Sequence, residues 1–244
     1  MRKLKLTIAY DGTNYYGFQR QKDKPSVQGT LENAISKITK EVIKTKGASR
    51  IDRGGHALGQ VVCFETCSSI PCLNLKDGIN SILPKDIFVR RVTEVDTSFN
   101  PRHALIRKYR YIVQNQKEKC LYLSRYSYFF PYELDISAME DTSTVFIGTH
   151  NFSSFAMCEG RNPTREIKDI SIVKNQGIFG ESLIFFDISG ASFLTNMIRS
   201  IVATLLKVGQ GILKKENIID IFNMRKRVSW KAPANGLFLL EVVY

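Results

Sequence analysis

The densest set of chemically capable residues in the 244-residue chain is Ala48-Ser49-Arg50-Ile51-Asp52-Arg53-Gly54-Gly55-His56-Ala57. One acid stands between two arginines, and two glycines and a histidine follow. Cations beside a carboxylate favour its ionised form, which a nucleophile or general base needs and a proton donor does not. The glycines let backbone approach a ligand closely. From these residues alone two readings stand: a nucleophilic or basic Asp52, or a charged surface loop with an Asp turn and solvated arginines.

Two other segments combine cations with aromatic rings, the pairing that neutralises phosphates and stacks bases. One is Tyr15-Tyr16-Gly17-Phe18-Gln19-Arg20-Gln21. The other is Phe99-Asn100-Pro101-Arg102-His103, continuing to Arg107-Lys108-Tyr109-Arg110-Tyr111. Strand alternation puts Tyr109 and Tyr111 on one face, either as core residues with satisfied hydroxyls or as a stacking surface. Arg199 lies among Met197, Ile198, Ile201 and Val202. It is either a part-buried charge wanting an acidic partner or an arginine whose head reaches solvent.

Other chemistries lack their residues. No Gly-x-Gly-x-x-Gly follows a strand, and no Gly-Lys-Ser/Thr phosphate loop or His-Glu-x-x-His occurs. A three-histidine metal centre would consume His56, His103 and His150, the full complement. The spacing of Cys63, Cys67 and Cys72 misses the Cys-x2-Cys knuckle. Five cysteines, an odd number, fit reduced thiols in a reducing compartment. No metal or cofactor is expected. Residues 1–10 alternate polar and apolar instead of forming an apolar signal core, and no apolar span is long enough for a membrane, so a cytoplasmic location is expected. Lys and Arg number 35 against 23 Asp and Glu, a formal charge of +12. Such a surface attracts a polyanion, nucleic acid first.

Hydrophobic spacing predicts the elements that must position these groups. Leu4, Leu6 and Ile8 alternate as a strand. From Ser26 as N-cap, Val27, Leu31, Ala34, Ile35, Ile38 and Val42 recur at helical spacing. Further strands are predicted at 61–65, 87–95, 108–114, 167–173, 183–188 and 237–243, and further helices at 73–83, from Asp135, at 193–208 and at 214–224. Strands and helices alternate, yet several connections are hairpin-short. The fold class is therefore α+β, a mixed or mostly antiparallel sheet with helices. The seam falls near Asn100-Pro101-Arg102, giving halves 1–104 and 105–244.

In order along the chain the residues resemble the bacterial tRNA pseudouridine synthase A family. The matching series begins with Tyr10-Asp11-Gly12-Thr13, Tyr16-Gly17-Phe18-Gln19-Arg20-Gln21, and Ser26-Val27-Gln28-Gly29 with Leu31-Glu32. It runs through Arg50-x-Asp52-x-Gly54-x-His56-Ala57, Phe99-Asn100-Pro101-Arg102 and Arg107-Lys108-Tyr109-Arg110-Tyr111. It ends with Gly148-Thr149-His150-Asn151-Phe152, Asn162-Pro163, Phe193 to Arg199, and Ala232-Pro233-Ala234 with Gly236-Leu237. The resemblance implies the pseudouridine synthase fold: two related α+β halves, the first carrying the aspartate loop, the second the tyrosine and arginine, with the active-site cleft between them. It implies isomerisation of uridine to pseudouridine in the tRNA anticodon stem-loop, at tRNA positions 38, 39 and 40, by a homodimer without metal or cofactor. Asp52 then matches the catalytic nucleophile, Tyr109 the residue that stacks on the flipped uracil, Arg199 the partner of the nucleophile, and Arg50 the residue that displaces the base.

The sequence departs from the family where it reads Ser49-Arg50-Ile51-Asp52-Arg53-Gly54-Gly55-His56, the usual pattern being Gly-Arg-Thr-Asp-x-Gly-Val-His. Ile51 removes a hydroxyl, Arg53 adds charge and Gly55 removes a β-branched side chain. Two alternatives follow: a divergent paralogue with another uridine target, or a non-catalytic RNA-binding protein. A retaining glycoside hydrolase would need a second carboxylate about 5 Å away, and the loop offers none beside Asp52.

Overall fold

The computed structural model describes residues 1–178, 180–224 and 227–244. Its strands and α-helices run β1 (Arg2–Tyr10), α1 (Val27–Thr39), β2 (Lys46–Gly47), β3 (His56–Thr66), α2 (Cys72–Ile82), β4 (Ile87–Val95), β5 (Ile106–Gln114), β6 (Tyr128–Phe129) and α3 (Ile136–Ser143). They continue with β7 (Gly148–Asn151), β8 (Thr164–Gln176), β9 (Ser182–Gly190), α4 (Met197–Gly209), α5 (Lys215–Met224) and β10 (Leu237–Val243). The fold is α+β, with mixed and mostly antiparallel strand pairing. The chain divides into two compact units: Met1–Leu105 with Phe238–Tyr244, and Ile106–Leu237.

In the first unit, β1 lies between β3 and β4 and is antiparallel to both. β2 is antiparallel to β3, and β10 runs parallel to β3, setting Phe238 opposite His56. Leu4, Leu6 and Ile8 are fully buried, as their alternation requires. Helix α1 turns Val27, Leu31 and Ile35 inward, and α2 does the same with Leu75 and Ile79. The Ser26 hydroxyl caps α1 by accepting from the Gly29 N–H. In the second unit β9 lies between β5 and β8, antiparallel to both, and β7 extends the run antiparallel to β8. Two-residue β6 pairs parallel with β5. Asp135 caps α3, accepting from the Ala138 N–H.

Several expected boundaries move, each for a local reason. Helix α1 stops at Thr39 because Lys40 turns left-handed, φ 61°, its N–H bonded back to the Ser36 carbonyl. Val42, read as an inward position, is consequently 93% exposed, while Ile43 turns in with its N–H on the Ser36 hydroxyl. Helix α4 begins at Met197, not at 193, because Asn196 sits at φ 65° and the Met197 N–H closes a turn on the Leu194 carbonyl. β2, β6 and β7 escaped sequence reading because two to four residues carry no measurable period. Residues 238–244, grouped with the second half from sequence, belong to the first unit, since β10 pairs with β3.

Ser26→Ala should lower stability by about 1 kcal/mol through loss of the cap. Lys40→Gly should raise it by about 0.5 kcal/mol, the left-handed penalty of roughly 1–2 kcal/mol being offset in part by glycine's chain entropy. Urea unfolding midpoints at constant m-value measure both.

Candidate active site

In the first unit, the Asp52 loop is shaped by a tight turn. The Asp52 carbonyl accepts from the Gly55 N–H at 3.1 Å, and Gly54, third of the four residues, stands at φ 81°. A residue there must take a conformation that costs an L side chain and suits glycine, as a type II turn demands. The carboxylate is thereby carried at the first corner of the turn, half-buried, with Arg50 and Arg53 exposed on either side.

Residues 11–18 hold that turn by backbone contact. A Cβ at Gly12 would overlap the Gly55 carbonyl oxygen, and one at Gly17, φ 97°, would come within 2.8 Å of the Ile51 carbonyl oxygen. The Phe18 N–H donates to the same Ile51 carbonyl at 3.1 Å. His56, only 1% exposed, accepts the Gly12 N–H at Nδ1, 3.1 Å, and stacks on Phe238 with ring centroids 4.6 Å apart. Asp11 Oδ1 stands 3.2 Å from the same Nδ1. That oxygen also takes the Thr13 N–H and hydroxyl, at 2.9 and 2.6 Å. The motif histidine is therefore an anchor for the turn. On the other flank, the Gln60 amide bonds both the N–H and the carbonyl of Ser49.

A second layer fixes residues 11–21 themselves. Glu32 on α1 is 4% exposed, and its carboxylate is compensated by Arg20 at 2.8 Å and by the N–H and hydroxyl of Thr45 at 2.8 and 3.0 Å. Gln28 accepts the Arg20 N–H and donates to the Thr45 carbonyl. Tyr16 takes two cations on its ring, Arg53 at 4.2 Å and Lys24 at 5.0 Å. Tyr15 hydrogen-bonds Asp86 at 2.7 Å; burial first, and that bond second, push its phenol up, so it stays neutral.

In the second unit, Tyr109 and Tyr111 share a face of β5 with Arg107. Tyr109 is 6% exposed and meets Phe193 edge-on at 5.2 Å. Tyr111 is fully buried with its hydroxyl on the Pro233 carbonyl at 2.7 Å; burial pushes its phenol up, against the opposing charge of Arg199. The Arg107 guanidinium bonds the Ala191 carbonyl, and Arg110 on the opposite face forms a two-point pair with Asp187 at 2.7 and 2.6 Å. Arg199, in the first turn of α4, is half-buried. It donates through Nε to the Ala232 carbonyl at 2.7 Å and through Nη1 to Asn196 at 3.1 Å, while its own carbonyl accepts the Ala232 N–H. Residues 232–233 thus tie the β5 tyrosine face to the start of α4.

The structure therefore puts Arg50 and Asp52 in one locked loop of the first unit, and Tyr109 and Arg199 in one aromatic and arginine cluster of the second. Sequence reading did not assign Gly12, Gly17, Glu32, Gln28 or His56 a mechanical part. The signal available for them was their presence in the motif series. Among the described residues no group of three or more His, Cys, Asp or Glu could hold a metal ion, and no helix is long and apolar enough to cross a membrane.

A family model described as tRNA pseudouridine synthase matches residues 6–103 and 143–244. The chain is 40% identical over 249 residues to a protein of Acetivibrio thermocellus and 41% identical over 249 residues to one of Caldicellulosiruptor saccharolyticus. Each is called tRNA pseudouridine synthase A, and each match covers 100% of both chains. A relative so named in Thermotoga neapolitana is 36% identical at the same coverage. A chain of a solved Cbf5-Nop10-Gar1 complex aligns with 83% of this chain and 54% of its own length at 12% identity and a TM-score of 0.33. An α+β chain matched over its whole length by tRNA pseudouridine synthases is an isomerase acting on a nucleoside within RNA. The chain belongs to the tRNA pseudouridine synthase family.

Gly12→Ala forces the backbone of the Asp52 turn to shift. Pseudouridine formation should fall about 100-fold, the scale of an ångström's misplacement of a reacting group. Single-turnover assay on a tRNA transcript measures the rate, and circular dichroism confirms the fold.

Proposed function

We propose that the chain isomerises uridine to pseudouridine in the anticodon stem-loop of tRNA, at positions 38, 39 and 40, with Asp52 as nucleophile. The observation that carries the reading is the motif aspartate at the corner of a turn locked by Gly12, Gly17 and His56, in a chain matched end to end by tRNA pseudouridine synthases. In the net reaction the C1′–N1 bond of uridine breaks and a C1′–C5 bond forms. The C5 proton leaves and N1 gains one, so no oxidant, reductant or metal is required. Asp52 opens the reaction by adding to the ribose or the base, a step that a carboxylate fixed before substrate arrives makes without reorganisation. Arg199 supplies the cation for the ionised nucleophile, and its grip on Asn196 and Ala232 holds it ready. Tyr109 provides the ring on which the extruded uracil stacks. Arg50, exposed in the same loop as Asp52, fills the space the base vacates. The +12 charge serves the RNA backbone.

The departure at Ile51 leaves the backbone contacts of the loop in place. Ile51 is 5% exposed, packed inward, and contributes its carbonyl to Phe18. This favours chemistry over a binding-only protein.

Unmodified tRNA transcripts incubated with the wild type and with Asp52→Asn, then mapped by carbodiimide primer extension, test the reading. Product in the anticodon arm from the wild type alone is expected, with Asp52→Asn binding tRNA within about threefold of wild type. Product at other positions would move the target, and binding without product in the wild type would leave only an RNA-binding role.

Affinity for tRNA should fall linearly in log Kd against log salt. Six or more phosphate contacts would cost roughly 10³-fold between 50 and 200 mM. Filter binding across a salt series measures the slope.

A further inference from the structure

The second unit contains a solvent-open cavity of about 350 Å³ that the reaction described above leaves without a task. The segment that follows α5 builds it by folding back across the start of α4. The Val228 N–H bonds the Ser154 carbonyl and the Ala232 N–H the Arg199 carbonyl. Trp230 and Lys231, between those two fastenings, and Arg227, just before the first, line the cavity with Phe155, Asn196 and Ser200. The indole is held in place, its N–H on the Thr204 hydroxyl at 2.8 Å and the Lys207 ammonium 5.1 Å from its centroid.

The lining has two chemical halves. Arg227 and Lys231 are exposed cations, joined by the hydroxyl of Ser200 and the amide of Asn196, a set suited to an anion that accepts several hydrogen bonds at once. Trp230 and Phe155 supply aromatic surface, and stacking on such rings holds a base whatever its identity. The volume lies at the small end of ligand sites, the size of one nucleotide. One wall also touches the candidate catalytic cluster. Asn196 lines the cavity and accepts from Arg199 Nη1.

We propose that this cavity binds one nucleotide of the RNA substrate outside the reacting uridine. Its phosphodiester sits on Arg227 and Lys231, and its base lies against Trp230. The proposal rests on the functional reading above and deepens it, giving the RNA a second hold beside Arg199.

Trp230 is the single tryptophan of the chain, so intrinsic fluorescence reports from the cavity. Titration of the full chain with an anticodon stem-loop RNA should quench it with the midpoint found by filter binding. Uridine 5′-monophosphate should quench it more weakly, and inorganic phosphate should compete with the mononucleotide. The double variant Arg227→Gln with Lys231→Gln should raise KM for tRNA tenfold or more with kcat unmoved, and lower the salt slope by 1 to 2, about one per cation removed. Arg227→Lys with Lys231→Arg should restore both. An unchanged thermal midpoint, expected because both side chains are exposed, separates this from misfolding. Saturated RNA binding and normal product with silent tryptophan fluorescence would overturn the proposal, as would a double variant with wild-type KM and slope. Quenching by RNA with no pseudouridine in any tRNA would instead overturn the functional reading and leave the nucleotide cavity standing.

Discussion

Everything in the aspartate loop depends on one constraint, that two stretches of backbone approach to contact with no side chain between them. Gly12 lies on the Gly55 carbonyl and Gly17 on the Ile51 carbonyl, one contact at each end of the turn that carries Asp52. Any Cβ at those positions would push the turn away. Side-chain packing would leave the loop free to adjust. Backbone contact, closed by the Phe18 and Gly12 hydrogen bonds, leaves it little freedom. Preorganisation of this kind suits the nucleophile's part proposed for Asp52, since a carboxylate that must first find its position would contribute less to a rate.

The constraint passes inward to a buried charge. Glu32 would be costly on the inner face of α1 without partners, and its partners are the two segments that must be tied together, Arg20 at the end of the clamping stretch and Thr45 ahead of the aspartate loop. The desolvation of one carboxylate is thus offset by contacts that also set loop geometry. His56 has a parallel part. A histidine in the motif that carries the proposed nucleophile invites an acid–base role, yet burial, its Nδ1 bond and its stacking on Phe238 give it a structural one. The second unit works by a similar clasp, in which Ala232 exchanges two bonds with Arg199 while Pro233 receives the Tyr111 hydroxyl. The motif Ala232-Pro233-Ala234 offers its backbone there and not its side chains.

Much of the fold was legible because hydrophobic period and capping chemistry act over a few residues. The alternation of Leu4, Leu6 and Ile8, the Ser26 cap, the helix expected from Asp135 and the helical spacing of Val27, Leu31 and Ile35 all read correctly. Reading failed where one backbone torsion overrode the period. The left-handed Lys40 turned Val42 out to solvent, and left-handed Asn196 delayed α4 by a turn. A lysine does not announce that conformation, and asparagine, which tolerates it better than most residues, still adopts it at a minority of its positions.

The sequence by itself determined the family, the α+β class, the absence of nucleotide-loop and zinc-hydrolase motifs, the cationic surface and the candidates Asp52, Arg50, Tyr109 and Arg199. These are matters of residue type and order, and type and order survive without a fold. Tertiary structure alone decided that Glu32 and His56 are anchors, that Ile51 points inward, that β10 joins the first unit, and that Arg227, Trp230 and Lys231 surround a cavity with Asn196. Those facts depend on which surfaces exclude water together. Contacts between residues 20 and 45, or 12 and 55, leave no periodic trace in the chain that joins them.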